Sequence, residues 1–119
     1  MKLNDYQKKA MSTCMPSCEN FAYMMLNLVG ELGEFASKVA KAIRKGNISI
    51  EYDELIPTNK IANEVLLEEL QAEAGDILWQ LSGLCEIMGW RLEDVAQGNI
   101  DKLASRKERG VIDGNGDNR

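Results

Sequence analysis

Glu31 and Glu34 stand three residues apart, and Glu73 and Asp76 repeat that spacing. On a helix, positions i and i+3 project from one side, so each pair offers two carboxylates to one region of space. Met24, Leu28, Phe35 and Ala42 fall at helical intervals about Glu31, and Leu66, Leu70, Ile77 and Leu84 do so about Glu73. Both glutamates therefore interrupt an apolar stripe. An ionised carboxylate pushed towards a core is expensive unless something neutralises it. Those stripe positions hold no lysine, which leaves a bound cation as the candidate. Hard oxygen donors with no histidine or cysteine beside them select Mg²⁺, Mn²⁺ or Ca²⁺. The plainer alternative is an exposed Glu34–Lys38 pair one helical turn long. Glu51 and Glu54 share the same spacing but lack an apolar frame, and read as solvated surface.

Each acidic pair also encloses a glycine, Gly33 or Gly75. A glycine inside a helix costs about 1 kcal/mol relative to alanine. Two at matching places point to close helix approach or to room for a ligand.

The elements that must carry these residues are helical. A first helix is expected from about Leu3 to Cys14, ended by Pro16. A second is expected from Glu19 to Arg44, with Phe21, Met24, Met25, Leu28, Leu32, Phe35, Val39 and Ile43 at three- and four-residue steps and Gly46 as its stop. Residues 46–58 read as a loop, with no strand signal longer than Asn47–Ile50. Pro57-Thr58-Asn59 reads as the start of a third helix, which carries Leu66, Leu70, Ile77, Leu81, Leu84 and Met88 and ends at Gly89. A fourth is expected from Leu92 to Glu108, with Val95, Ala96, Ile100 and Leu103 facing inward. The expected architecture is all-α, a bundle of four to five helices. Residues 1–110 form one domain and residues 111–119 an irregular, glycine- and asparagine-rich tail.

Composition narrows the function. The chain of 119 residues carries a net charge of −5, which argues against a nucleic-acid backbone as partner and fits a site that recruits a cation first. There is no apolar run of membrane-spanning length and no signal-peptide core, so a cytoplasmic location is expected and no membrane partner. Three cysteines (Cys14, Cys18, Cys85) and no histidine make a zinc site unsupported, and read as reduced thiols. Without histidine, a general base must be a carboxylate, a lysine or metal-bound water.

The pattern Glu31-x-x-Glu34 followed by Glu73-x-x-Asp76 resembles the signature of the MazG-like all-α nucleoside triphosphate pyrophosphohydrolases. Tyr6-Gln7 with Ala10 and Thr13 is similar to the family's opening helix, and Gly75-Asp76-Ile77-Leu78-Trp79 to its third-helix core. Asn99-x-x-Lys102-Leu103-x-x-Arg106 and the tail Arg109-Gly110-Val111-Ile112-x-Gly114-x-Gly116-Asp117-Asn118-Arg119 resemble the C-terminal signature of single-domain members. There are departures. The segment between the acidic pairs is longer than in compact members, and Gly30 stands where some relatives carry an extra acid.

The resemblance implies a Mg²⁺ site built by the second and third helices, with Mn²⁺ as a possible substitute, from Glu31, Glu34, Glu73 and Asp76. It implies a nucleoside triphosphate as substrate, attacked by water at the α-phosphorus with release of pyrophosphate, and a homodimer or homotetramer as the assembly. Asn99, Lys102 and Arg106 share one helix face and could bind the phosphates; alternatively they are solvated cations favoured at a helix C-terminus. Trp79 lies off the main apolar stripe and could stack on a base, with Tyr6 and Asn20 as further base-pocket candidates. Two other functions fit the same residues: a non-catalytic helical binding or oligomerisation module, and a pyrophosphohydrolase of another phosphoribosyl nucleotide.

Overall fold

A computed structural model describes residues 1–58 and 60–119. Its four helices are α1 (Leu3–Met11), α2 (Phe21–Arg44), α3 (Lys60–Ile87) and α4 (Leu92–Glu108), with a short 3₁₀ turn at Pro16–Cys18 and a two-stranded antiparallel hairpin, β1 (Ile48–Glu51) and β2 (Glu54–Pro57). The fold is the expected helical bundle with one small addition. Asn59, expected near the start of α3, lies outside the described residues.

α1 stops three residues earlier than expected. Ser12 Oγ donates to Lys9 O (2.5 Å) and Thr13 Oγ1 to Ala10 O (2.6 Å), so hydroxyls take the last carbonyls before Pro16 is reached. α2 starts after Asn20, whose Oδ1 accepts from the Tyr23 amide at 2.8 Å. Gly46, at φ +72°, turns the chain out of α2.

The expected loop at 46–58 is instead the hairpin. Tyr52 and Asp53 both have positive φ (52° and 63°), as a two-residue type I′ turn requires. Nothing in that dipeptide announces the turn, because the usual Asn-Gly or Asp-Gly is absent. Ile48 explains why the hairpin docks. It is buried with Ala42, Leu66 and Leu70, with Phe35 and Val39 packed against them, so β1 closes the end of the α2–α3 pair.

α2 and α3 form the central antiparallel pair, and α1 lies across α3. The two long helices approach closely at Gly83, where a Cβ would collide with the Met24 side chain. Gly33 and Gly75 do not serve that purpose: a Cβ at either would meet no neighbour within 4 Å. Of their two expected explanations, open space is the one realised.

α4 is held at its first turn by α1. The Gln7 Oε1 atom accepts from the Leu92 amide at 2.7 Å, and Asn4 Oδ1 accepts from the Glu93 amide at 3.1 Å. Two helix-terminal N–H groups that need partners are thus satisfied from another helix. The Gln7 amide nitrogen donates to Trp90 O (3.0 Å) and Glu86 Oε2 (3.1 Å), so this one buried side chain ties α1, α3 and α4 together. Replacing Gln7 by leucine leaves the buried Leu92 amide without an acceptor. The expected loss is about 1–3 kcal/mol of stability, read as a lower urea midpoint at unchanged slope; an unaltered midpoint contradicts this role.

The remaining apolar surface is not covered. Val95, Ile100 and Leu103 of α4, expected to face inward, are exposed, as are Met25 and Leu32 of α2. On α2, Leu26 is 75% and Val29 64% exposed. Periodicity identifies an apolar face but not what lies against it, and one chain has no element left to cover these. The radius of gyration, 17.8 Å, exceeds the roughly 13.5 Å expected of a compact domain this long. The tail has no helix or strand yet folds back: Arg119 donates to Val111 O (3.0 Å) and Ile112 O (3.2 Å), and Arg109 to Arg119 O (2.7 Å). No helix among the described residues is long and apolar enough to cross a membrane. All three cysteines are free.

Candidate metal centre

Midway along the α2–α3 pair, Glu31 faces Glu73 and Asp76. One carboxylate oxygen from each lies within 4.8 Å of the others. Glu73 is buried, at 8% exposure, and Glu31 is half-buried, while Asp76 opens to solvent. The apolar stripes put the two glutamates there, since burying Met24, Leu66 and Leu70 turns the intervening carboxylates inward with them.

Three like charges in one place are unfavourable. Burial, and then the charges of Glu34, Asp76 and Glu73, raise the Glu31 carboxyl above the ordinary glutamate range; the Asn27 amide, donating at 3.2 Å, offsets part of this. Glu31 Oε2 and Glu73 Oε2 are buried with no hydrogen-bond partner. Orphaned carboxylate oxygens of this kind fit a hard cation.

Glu34 does not join the converging three. Three residues from Glu31 it is rotated by about 60° around the helix, and it is exposed. Nor is Lys38 paired with it. Lys38 crosses to α3, placing Nζ 3.1 Å from Glu73 Oε1 and 3.9 Å from Glu69 Oε2. So the Glu73 stripe does receive a lysine, from the neighbouring helix. The signal was available: Lys38 is seven residues from Glu31, two turns along the same face. Beside this pair opens a groove of about 530 Å³ whose lining includes Lys38, Lys41, Lys45, Val65, Leu66 and Glu69, three lysines with one glutamate beside the anionic cluster.

Other polar groups of the cleft escaped the sequence reading. Asn27 lies one turn before Glu31 and also reaches Tyr23 Oη at 3.4 Å. Gln80 lies one turn after Asp76, buried, with Oε1 unpartnered. Cys18 first, then burial, raise the Tyr23 phenol above its ordinary range, and Gln80 acts in the opposite direction. Counting in fours from each acid would have found Asn27, Tyr23 and Gln80.

Over residues 19–111 the sequence matches the MazG nucleotide pyrophosphohydrolase domain. The chain belongs to this family. It is also similar to the Gene 37 protein of Mycobacterium phage L5, 39% identical over 103 residues, which cover 87% of this chain and 80% of that protein. No solved structure matches it.

The MazG match spans the whole of α2, α3 and α4, and so includes every carboxylate of the cluster. Tyr6, on α1, is half-buried; burial first and the Asp76 charge second raise its phenol pKa. Trp79 donates its indole N–H to Ala10 O (3.1 Å) and Thr13 Oγ1 (3.0 Å), which fixes α1 on α3. Asn20 is exposed, and its side chain is engaged at the start of α2.

The phosphate-binding trio is divided. Asn99 is exposed. Arg106, expected to bind phosphate or else to be solvated, is buried and donates to Asp117 Oδ1 (3.1 Å) and Asp117 O (3.2 Å), anchoring the tail. Lys102 lies 3.5 Å from the same carboxylate but remains 43% exposed. Arg106, then Lys102, hold the Asp117 carboxyl below the usual range. Among the described residues, no ion pair or hydrogen bond joins these three to the acidic cluster.

Proposed function

We propose that the chain hydrolyses a (deoxy)nucleoside triphosphate to the monophosphate and pyrophosphate, in the cytoplasm, with Mg²⁺ or Mn²⁺ as cofactor. The observation that carries this is the convergence of Glu31, Glu73 and Asp76 with two buried carboxylate oxygens left unpartnered. Those three would hold the cation, with Glu34 adjacent. When bound, Mg²⁺ supplies charge neutralisation to phosphate oxygens and acidifies a water. Glu34, exposed and outside the three, is the carboxylate left to accept the proton of the attacking water in a chain without histidine. Lys102 neutralises charge on the departing pyrophosphate, with Asn99 and Arg106 on the same helix face. Tyr6, Trp79 and Asn20, with α1 and its linker, border the base end.

Thermal melts with and without Mg²⁺ test the centre. Saturation to 100 times Kd should stabilise the protein by about 2.7 kcal/mol. Glu73→Gln should stay folded and lose most of that response; an unchanged Mg²⁺ shift in the variant removes the assignment. Assaying released pyrophosphate against orthophosphate tests the bond that is cleaved.

The uncovered faces of α2 and α4 support a homodimer or homotetramer, in which α4 of one copy can bring its cations to the acids of another. Light scattering at micromolar concentration should give at least twice the monomer mass, and a 13.3 kDa particle would exclude it.

A further inference from the structure

The Lys38–Glu73 pair does something that neutralisation alone does not describe. Glu73 has two oxygens in unlike situations. Oε1 is 3.1 Å from the Lys38 ammonium. Oε2 is buried with no partner, and Glu73 is one of the three acids whose oxygens converge within 4.8 Å. The carboxylate is 8% exposed and set on a long helix, so it has little freedom to exchange the two. We infer that Lys38 is a positioning residue that saturates one oxygen of Glu73, so that Glu73 offers a cation a single donor and the site prefers Mg²⁺ to Ca²⁺.

The physical basis is the difference between the two ions. Mg²⁺ takes six ligands in a near-ideal octahedron at short distance, and its carboxylates bind through one oxygen. Ca²⁺ takes six to eight ligands and readily uses both oxygens of a carboxylate. A glutamate with one oxygen already held is a good ligand for the first ion and a handicapped one for the second. Lys38 is well suited to this role. Its ammonium is a compact charge with three donors, and Glu69 Oε2 at 3.9 Å keeps it on the α3 side. A pair formed only to offset buried charge would make no such distinction, because removing it alters the affinity for every divalent ion together.

This inference rests on the proposed metal centre. It is tested by thermal-shift titrations with Mg²⁺ and with Ca²⁺, in the absence of nucleotide, on the wild type and on Lys38→Met, Lys38→Ala and Lys38→Arg. The ratio of the two midpoint concentrations is the quantity read. In Lys38→Met the ratio should move towards Ca²⁺ by about tenfold, the worth of one additional ligand contact. Lys38→Ala should move it the same way, so the measurement stands on whichever of the two folds. Lys38→Arg keeps a donor on Oε1 and should restore the wild-type ratio. If both midpoints shift together at constant ratio, Lys38 is a counter-charge only and the inference is overturned while the metal centre stands. If neither ion stabilises the wild type, the metal centre and the inference fall together.

Discussion

Asp76→Asn should abolish turnover, lowering kcat by about 10³-fold or more at any substrate concentration. The residue is well placed for such a test. Asp76 is exposed and contributes no buried apolar contact, so the exchange of one oxygen for an amide has little to disturb in the fold. What it removes is the negative charge of one of the three acids whose oxygens lie within 4.8 Å, leaving the proposed cation at most a neutral carbonyl oxygen there. Circular dichroism should be unchanged. A variant that retains kcat within tenfold of the wild type would show that hydrolysis does not run through this cluster.

Lys102→Ala is expected to lose about 10- to 150-fold in kcat/KM, equivalent to a charge-assisted hydrogen bond of roughly 1.5–3 kcal/mol. Stability and the Mg²⁺ thermal shift should hardly change. The ammonium is 43% exposed and its Asp117 partner 83% exposed, and pairs of that kind add little to folding. It can therefore leave Asp117 for a phosphate at low cost. Arg106 cannot be read in the same way. It is buried against the tail, so its removal unpins residues 111–119 as well as withdrawing a cation. Full activity in Lys102→Ala would take this lysine out of the site and turn attention to the groove lined by Lys38, Lys41 and Lys45.

Much of this could be read from the residues, for a physical reason. The helices of a bundle are written as periodic apolar positions, so the bounds of α2 and α4 differ by at most two residues from those expected. Glu31 and Glu73 were conspicuous because each interrupts such a period. What escaped was information that passes between elements. Lys38 is spaced to pair with Glu34 on its own helix, and only the packing of α2 on α3 shows that it answers Glu73. Gln7 gives no sign in the sequence that it will satisfy the Leu92 amide. The hairpin was missed because Tyr52-Asp53 adopts a backbone usually left to glycine or asparagine, and Ile48 and Ile50 alone make too short an alternation. The inward facing expected of Val95, Ile100 and Leu103 assumed that one chain supplies its own partner surface.

The clamp formed by Asn4 and Gln7 separates two boundaries that are easily taken as one. The sequence shared with the family runs over residues 19–111, and α1 precedes it. Yet α1 satisfies the first amides of α4, the helix that carries Lys102. A fragment trimmed to the shared sequence would keep every carboxylate of the cluster and lose what holds that helix in place. The matched span is thus shorter than the unit that is mechanically whole. Grafting this domain into a larger chain, or joining a tag at its front, succeeds or fails on a helix that lies before the matched residues.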